Sequence, residues 1–270
     1  MALTETAYAK INLALHVRMR REDGYHDLET VFAFVDRGDV LSATDAEQDS
    51  VLVTGEFAGG IDNPLDNLVA RALGKLPRVG GVSITLEKNL PVAAGLGGGS
   101  ADAGAVFRIV RELAGLPDDW HARAAALGAD VPACVESRTC IGRGTGTRLQ
   151  PADDSLAGTA VLLVNPRTPL STGPVFKAWD GIDRGALPSG DVRAMTIEGR
   201  NDLEGPAIAL CPPIAGVLAA LRGTSPFLAR MSGSGATCFA LYDSHEALAK
   251  AASQIATDHP GWWQMQGTLR

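Results

Sequence analysis

The chain has 270 residues, of which 46% are hydrophobic and 20% are charged. Such proportions exclude a disordered or fibrous protein and predict a globular one, with one large domain or two modest ones. The formal net charge is −7, which argues against a nucleic-acid partner and against an anionic membrane, because an acidic surface repels both. We therefore expect any anionic ligand, such as a small-molecule substrate, to be held locally.

The sequence shows no targeting segment. Its first residues lack the basic start and the apolar core of a secretory signal, and the most apolar later stretch, residues 206–220, is interrupted by Pro212 and Pro213. We expect a cytoplasmic protein, in which cysteines stay reduced. The four cysteines form no close metal-ligand pairs, so we predict neither a disulfide nor a zinc site.

The first elements along the chain are predicted strands. Apolar and polar side chains alternate over residues 7–17, which is typical of a half-buried strand and puts Lys10 and Asn12 on one face. Further strands are predicted at residues 28–34, 39–43, 51–53 and 82–86, with turns at residues 22–25 and 36–38.

Helices follow these strands. They are predicted at residues 67–76, from about residue 100 onward, and at residues 119–127, where Gly128 caps the end. Strands and helices in this irregular order predict an α+β domain and not a doubly wound parallel sheet.

A polar stretch at residues 150–158 is the predicted domain boundary, which divides the chain into residues 1–150 and 151–270. The second part has its own elements. Strands are predicted at residues 161–165, 239–242 and 262–267, and helices at residues 174–179, 213–222 and 244–255. Residues 232–236 form a loop of small residues, the second glycine loop. A site with a glycine-rich loop from each part would suit a ligand with a phosphate tail.

The first glycine loop, residues 91–101, has four glycines in five positions. Glycine adopts φ > 0 without penalty and lets a ligand approach the backbone closely. The apolar spacing after the loop predicts a helix that begins near Ser100, and the free amides of a helix N-terminus favour an anion, here phosphate. A flexible turn with a serine cap is the alternative, because glycine-rich loops are common.

Spacing excludes two familiar phosphate loops. A Walker-type loop needs Lys and then Ser or Thr directly after its last glycine, whereas Gly99 is followed by Ser100 and Ala101. A dinucleotide fingerprint needs an acidic residue at the end of a strand about twenty positions on, whereas Asp118 and Asp119 follow a predicted helix.

Phosphoryl transfer also needs a cation and a carboxylate, and Lys10 and Asp130 are the candidates. Asp130 lies among small and apolar neighbours between a predicted helix and Pro132, which indicates partial burial. Paired with Lys10 it would stay ionised although poorly solvated, as a base requires. The alternatives are a helix cap or turn for Asp130 and an ordinary solvent-facing strand lysine for Lys10.

Gly24, Tyr25 and His26 at a predicted turn are a second candidate site. The turn would expose an aromatic ring beside an imidazole, which could stack on a base and hydrogen-bond to it. A purely structural turn is the alternative.

Together, the motifs at residues 9–13, 91–101 and 232–237 resemble those of the GHMP kinases, a family of small-molecule kinases. The resemblance extends from about Tyr8 to about Tyr242. It is narrowed to one subfamily by four further segments, residues 23–28, 66–68, 127–132 and 201–204. It implies a two-lobed α+β fold, with an N-terminal ribosomal-protein-like domain and a C-terminal ferredoxin-like domain.

The resemblance implies that the chain uses ATP and Mg²⁺ to phosphorylate the 2-hydroxyl of a methylerythritol linked to cytidine diphosphate, in the non-mevalonate route to isoprenoid precursors. Asp130 would be the base, Lys10 its partner and Ser100 a metal ligand. The protein would be a monomer or a homodimer.

The resemblance also implies binding residues. The residues for ATP would be Asn67, Lys88, Pro91, Val92, Ala93, Ala94, Gly95, Leu96, Gly97, Gly98, Gly99, Ser100 and Ala101. The residues for the second substrate would be Asn12, Tyr25, His26, Thr172 and Phe176.

Two positions depart from the family pattern. Asp102 stands where an uncharged polar residue is frequent, and an acid there would be unfavourable near phosphates unless it faces away or meets the metal or the adenine side. Ile141 stands where relatives can have an aromatic that lines the cytidine pocket, which leaves more of the stacking to Tyr25.

Three rival functions remain open. A kinase of the same family that acts on homoserine, mevalonate or a sugar would need a different acceptor pocket. An ATP-dependent decarboxylase of the same fold would release carbon dioxide. A non-catalytic sensor on the same scaffold would not need both Lys10 and Asp130.

Overall fold

The computed structural model describes residues 2–60 and 67–270. Asp66, one of the residues that carry the family resemblance, lies outside them. The strands are β1 Ala2–Arg20, β2 His26–Ala46, β3 Ser50–Thr54, β4 Gly81–Glu87, β5 Cys140–Gly144, β6 Arg148–Pro151, β7 Ala160–Asn165, β8 Leu228–Met231, β9 Cys238–Tyr242 and β10 Trp263–Thr268. The α-helices are α1 Leu68–Leu73, α2 Gly98–Ala114, α3 Trp120–Ala125, α4 Val131–Glu136, α5 Thr172–Lys177, α6 Val192–Glu198, α7 Glu204–Leu210, α8 Pro213–Gly223 and α9 His245–Asp258.

The chain divides into two compact units, each assembled from separate segments. Unit 1 consists of Met1–Lys10, Gly38–Val92 and Gly97–Ser137, and unit 2 consists of Ile11–Arg37, Ala93–Leu96 and Arg138–Arg270. Strands β1 and β2 each pass from one unit into the other. The predicted domain boundary at residue 150 stays a prediction.

Unit 1 contains a group of paired strands and a group of helices that pack against each other. The second half of β2 pairs antiparallel with β4, from Val40 opposite Glu87 to Ala46 opposite Gly81, and β3 pairs parallel with β4. Helix α2 packs against α1 and α4. Its apolar residues from Ala101 to Val110 are almost all buried, as the spacing in the sequence predicts.

The predicted turn at residues 36–38 is wrong, because β2 runs through these positions without a break. Gly38 allows β1 to approach β2 closely and does not form a turn. A Cβ on Gly38 would lie 1.9 Å from the carbonyl oxygen of Ala7, so only glycine lets β1 pass at this distance. A turn and a close approach both require glycine, and the local sequence does not distinguish them.

Unit 2 contains an antiparallel sheet in the order β10-β7-β9-β8. Numbered along the chain, this order is fourth, first, third, second, with α8 and α9 on the connections, as the ferredoxin-like prediction requires. One face of the sheet and helices α8 and α9 enclose the core, which includes Leu162, Val217, Ala240, Tyr242 and Leu248. The first half of β2 pairs with β5, and β5 pairs with β6.

The predicted α+β class is confirmed, as are most of the predicted strands and helices. The sequence prediction missed α4, α6, α7, β5, β6 and β8, which have four to seven residues each. Such elements are too short to show a clear periodicity.

All four cysteines are buried and none forms a disulfide. Burial raises the pKa of Cys211, and it raises that of Cys238 well above its ordinary value. Among the described residues, no helix has the length and apolar character needed to cross a membrane.

We predict that Gly104→Ala destabilises the protein. A Cβ at this position of α2 would lie 2.6 Å from the backbone of Cys134 in α4, so the two helices would have to move apart. The expected loss is about 1–3 kcal/mol in the free energy of unfolding by urea, the usual cost of overpacking.

Gly216→Ala is the matched control, because Gly216 is exposed on α8 and a Cβ there meets no atom within 4 Å. This variant should gain up to about 1 kcal/mol from helix propensity. An equal effect of both substitutions would contradict the close approach of α2 to α4.

Candidate active site

Lys10 and Asp130 form an ion pair in unit 1. The Nζ atom of Lys10 lies 3.0 Å from Oδ2 of Asp130, and the lysine is only 4% exposed, whereas the aspartate side chain is 32% exposed. The pairing expected from the sequence is therefore present. It gives the buried ammonium the opposite charge that it needs, and it leaves one side of the carboxylate accessible.

Asp130 occupies the position before α4 but does not cap this helix. Its side chain makes no capping hydrogen bond, although its backbone carbonyl accepts the hydrogen bond from Cys134. The side chain of Asp130 therefore does not cap α4, whereas its backbone lies in the turn before this helix, as the turn alternative predicts. Helix α4 begins at Val131, with Pro132 in its first turn, and this start fixes the place of the carboxylate.

The first glycine loop leads directly to this ion pair. A Cβ on Gly97 would lie 2.9 Å from Cε of Lys10 and 3.8 Å from Oδ2 of Asp130, so a larger residue would collide with the lysine. Gly97 has φ 62° and is followed by α2, which begins at Gly98. The loop therefore runs into the helix N-terminus beside Lys10 and Asp130.

Residues with positive φ alternate along this loop, at Ala93, Gly95 and Gly97. Alternation of left-handed residues with ordinary ones turns successive backbone N–H groups toward one side, which produces a concavity that binds anions. Within unit 1, the free amides of the first turn of α2 are further donors suited to a phosphate group.

Lys88, Asp39 and Asp102 form a buried ion cluster in unit 1. Nζ of Lys88 donates to Oδ2 of Asp39 and, at 2.8 Å, to Oδ2 of Asp102. Oδ1 of Asp39 accepts from the backbone N–H groups of Asn89 and Leu90 at 2.6 and 2.8 Å. The cluster lies directly under the start of α2, because a Cβ on Gly98 would lie 3.5 Å from Nζ of Lys88.

Burial raises the pKa of Asp102 to about 8, although the charge of Lys88 opposes this shift. Burial alone would lower the pKa of Lys88, but Asp102 and Asp39 outweigh it and raise that pKa. The ammonium of Lys88 is therefore committed to the cluster, and any contact of residue 88 with adenine would come from its backbone. Asp102, whose role the sequence left open, faces this cluster.

The second glycine loop makes hydrogen bonds with the part of the first loop that belongs to unit 2. Oγ of Ser232 donates to the carbonyl of Gly95 at 2.8 Å, and N–H of Thr237 donates to the carbonyl of Ala94 at 3.1 Å. The amide of Asn201 holds the second loop from the other side, because it donates to the carbonyls of Met231 and Gly233, both at 2.8 Å. Asn201 was singled out in the sequence only as part of the family motif.

Asn12 lies on β1 in unit 2, beside the second glycine loop. Its backbone N–H donates to Oγ of Ser232 at 3.2 Å, and its side-chain amide donates to Oγ1 of Thr30 at 2.7 Å. Thr30 in turn donates to the carbonyl of Ala14 at 2.7 Å. No pattern in the sequence points to Thr30, which orients the Asn12 amide.

His26 lies in an aromatic group of unit 2. Its ring centroid is 5.0 Å from that of Phe176 and 5.8 Å from that of Trp179. Tyr25 is 62% exposed and keeps its ring available for stacking. The indole N–H of Trp179, which the sequence did not single out, is buried without an acceptor among the described residues. An acceptor on a ligand would remove the cost of this unpaired donor.

Three other predicted site residues have local partners. Oγ1 of Thr172 lies 2.9 Å from Oγ of Ser234 in the second glycine loop. Asn67 caps α1, because its side chain accepts from N–H of Val69 at 3.0 Å. Ser100 lies on the first turn of α2 next to Gly128, where a Cβ would be 3.8 Å from its hydroxyl. None of these contacts tests the roles predicted for the three residues.

We predict that Lys88→Met destabilises the protein by about 3–5 kcal/mol, because it leaves the carboxylate of Asp39 buried without a cation. The double variant Lys88→Met/Asp102→Asn should lose a similar amount, because Asp102, with its pKa raised to about 8, can keep a proton and avoid a buried charge. The free energy of unfolding in urea measures both. Lys75→Met, at an exposed lysine of the same unit, should stay within about 0.5 kcal/mol of the parent. A Lys88→Met variant as stable as the parent would contradict the cluster.

Comparison with known proteins agrees with this arrangement. Residues 67–138 match the GHMP kinases N terminal domain, and residues 192–260 match the GHMP kinases C terminal. The chain is 65% identical to a 4-diphosphocytidyl-2-C-methyl-D-erythritol kinase from Erythrobacter litoralis, over 99% of this chain and 100% of that one. It is 66% identical to the enzyme of the same name from Novosphingobium aromaticivorans, over 100% of this chain and 94% of that one.

A solved structure is similar throughout. The crystal structure of a 4-(cytidine 5'-diphospho)-2C-methyl-D-erythritol kinase matches with a TM-score of 0.80 and 32% identity, over 99% of each chain. Both family models, these relatives and this structure indicate the same family. The chain therefore belongs to the GHMP kinases, in the group of the 4-diphosphocytidyl-2-C-methyl-D-erythritol kinases.

Proposed function

We propose that this kinase transfers the γ-phosphoryl group of ATP to the 2-hydroxyl of 4-diphosphocytidyl-2-C-methyl-D-erythritol. The observation that carries the proposal is the ion pair of Lys10 and Asp130 next to Gly97, since it puts a base and a cation beside a loop suited to phosphates. The names of the similar proteins support the choice of the second substrate.

In the proposed reaction, Asp130 accepts the proton of the 2-hydroxyl group, and the oxygen of this hydroxyl group attacks the γ-phosphorus of ATP. The bond between this phosphorus and the β–γ bridging oxygen breaks, and ADP leaves with the electron pair. Lys10, 3.0 Å from Asp130, positions this carboxylate and orients the hydroxyl. Positioning and charge supply most of the catalysis in such a transfer.

The first glycine loop would hold the triphosphate through its backbone amides. The hydroxyl of Ser100 is an oxygen donor of the kind that Mg²⁺ prefers, and this ion usually takes few protein ligands because the substrate phosphates supply the others. When bound, Mg²⁺ would neutralise charge on the transferred phosphoryl group.

The second substrate would bind through residues of unit 2. Tyr25 and Phe176 would stack on the cytosine, His26 would read its edge, and Asn12 and Thr172 would hold the erythritol. The exposed ring of Tyr25 and the unpaired indole donor of Trp179 support a ligand site at this aromatic group. The proposal includes a cytoplasmic reaction by a monomer or a homodimer, and the reduced cysteines support that compartment.

A substrate panel tests the proposed function. The purified protein with ATP and Mg²⁺ should release ADP with 4-diphosphocytidyl-2-C-methyl-D-erythritol, and phosphorus NMR should show a new phosphomonoester on the acceptor. The acceptor without its cytidylyl group, homoserine and mevalonate should give little or no ADP. Turnover of one of these in preference to the cytidine compound, or release of carbon dioxide with ADP, would overturn the substrate assignment.

We predict that Asp130→Asn loses about 10²–10⁴-fold in kcat, the usual contribution of a general base. The asparagine keeps the shape of the side chain but cannot accept the proton. Affinity for ATP, measured by calorimetry, should change little. Asp119→Asn, at an exposed acid of the same unit, is the control and should keep full activity. Normal turnover by the Asp130 variant would exclude this residue as the base.

We predict that His26→Ala raises KM for the cytidine substrate at least about tenfold, because an edge of the base loses its partner. KM for ATP should stay within about twofold, since ATP would bind at the glycine loop. Initial rates with each substrate varied in turn measure both values. An equal rise of the two would contradict base recognition by His26.

A further inference from the structure

Arg20 connects three parts of the aromatic group in unit 2. It is the last residue of β1, and its Nε donates to Nε2 of His26 at 3.4 Å. Its Nη2 donates to the backbone carbonyls of Lys177 at 3.3 Å and Trp179 at 3.1 Å. One guanidinium group therefore contacts both the imidazole and the chain segment that carries Phe176 and Trp179.

The contact with His26 selects one tautomer of its ring. A guanidinium group can only donate hydrogen bonds, so Nε2 of His26 must offer a lone pair to it. A neutral imidazole then carries its proton on Nδ1. Burial lowers the pKa of His26 from its ordinary value of 6.5, and the positive charge of Arg20 lowers it further. The ring is therefore neutral at physiological pH.

The contact with the two carbonyls fixes the neighbouring aromatic side chains. Helix α5 ends at Lys177, and the last carbonyls of a helix have no partners within it. Arg20 occupies two carbonyls at this end, a favourable position for a cationic side chain. The ring of Phe176 is thereby held at 5.0 Å from the imidazole.

We propose that Arg20 is a positioning residue that makes the site specific for cytosine over uracil, by holding His26 as an Nδ1–H donor. This inference rests on the proposed function. Atom N3 of cytosine is a hydrogen-bond acceptor, whereas N3 of uracil carries a hydrogen and is a donor. A ring fixed with Nδ1–H toward this atom therefore binds cytosine and leaves two donors facing each other with uracil.

The sequence offers little hint of this role. Arg20 and Arg21 are adjacent and both precede the turn, but Arg21 pairs with Asp23 and Asp27. Arg20 alone of the two reaches His26 and the end of α5. Lys177 and Trp179 lie more than 150 positions further along the chain, so only the fold brings these groups together.

The first experiment is NMR of the substrate-free protein, which does not depend on activity. Long-range ¹H–¹⁵N spectra of ¹⁵N-histidine-labelled protein should show the Nδ1–H tautomer of His26 and a pKa below 6.5. In Arg20→Met this pKa should rise, because a positive charge that disfavours the imidazolium is gone, and the Nε2–H tautomer should become populated. Arg37→Met removes the same charge from an exposed position of β2 and should change neither property.

The second experiment compares the cytidine substrate with its uridine analogue. The parent should favour the cytidine compound in kcat/KM, and Arg20→Met should lower this preference at least about tenfold, the effect of one hydrogen bond to a charged group. The change should lie in KM for the cytidine compound, with KM for ATP unaffected. Arg20→Lys keeps the charge but not the forked geometry, and should recover only part of the preference.

An Nε2–H tautomer in the parent, or an unchanged tautomer in Arg20→Met, would overturn the role of Arg20 in holding the ring. An unchanged preference for cytosine in Arg20→Met would overturn its role in specificity. Failure of the parent to phosphorylate either compound would overturn the proposed function and the specificity role together, whereas the NMR result would still decide whether Arg20 positions His26.

Discussion

A buried ammonium group needs an opposite charge close to it, and the candidate active site of unit 1 depends on this constraint. The ammonium of Lys10 is withdrawn from water on β1, so the start of α4 has to deliver Asp130 within 3.0 Å of it. The same pairing holds a partly exposed carboxylate next to Gly97 of the first glycine loop. One electrostatic requirement thus explains the place of a strand, the start of a short helix and the chemistry expected between them.

Several glycines allow a close approach between neighbouring segments. Gly97 leaves room for the Lys10 side chain, Gly38 lets β1 pass close to β2, and Gly104 lets α2 approach α4. Gly95 likewise allows a close approach, because a Cβ on it would lie 2.4 Å from the carbonyl oxygen of Ser232. Close backbone approaches of this kind fix where the loops lie, so the glycine loops are held in place although they lack side chains.

Local patterns in the sequence predicted much of the fold and part of the site. The spacing in α2 and the serine cap of α9 depend on neighbours within a few residues, and the structure has both. The alternation over residues 7–17 correctly predicted a strand, but not its burial, because β1 is buried on both faces from residue 9 to residue 17. The cluster of Asp39, Lys88 and Asp102 joins residues that are 14 to 63 positions apart. No local pattern specifies such a contact, and the same is true of Thr30 beneath Asn12 and of Arg20 beside His26.

The buried cysteines make the native protein a reporter of its own local opening. A thiol reagent can reach a buried sulfur only when the surrounding structure opens, so the rate of modification measures the free energy of that opening. Cys134 lies in unit 1, and Cys140, Cys211 and Cys238 lie in unit 2. Thiol reactivity followed residue by residue would therefore compare the opening of the two units within a single molecule, without any label added to the chain.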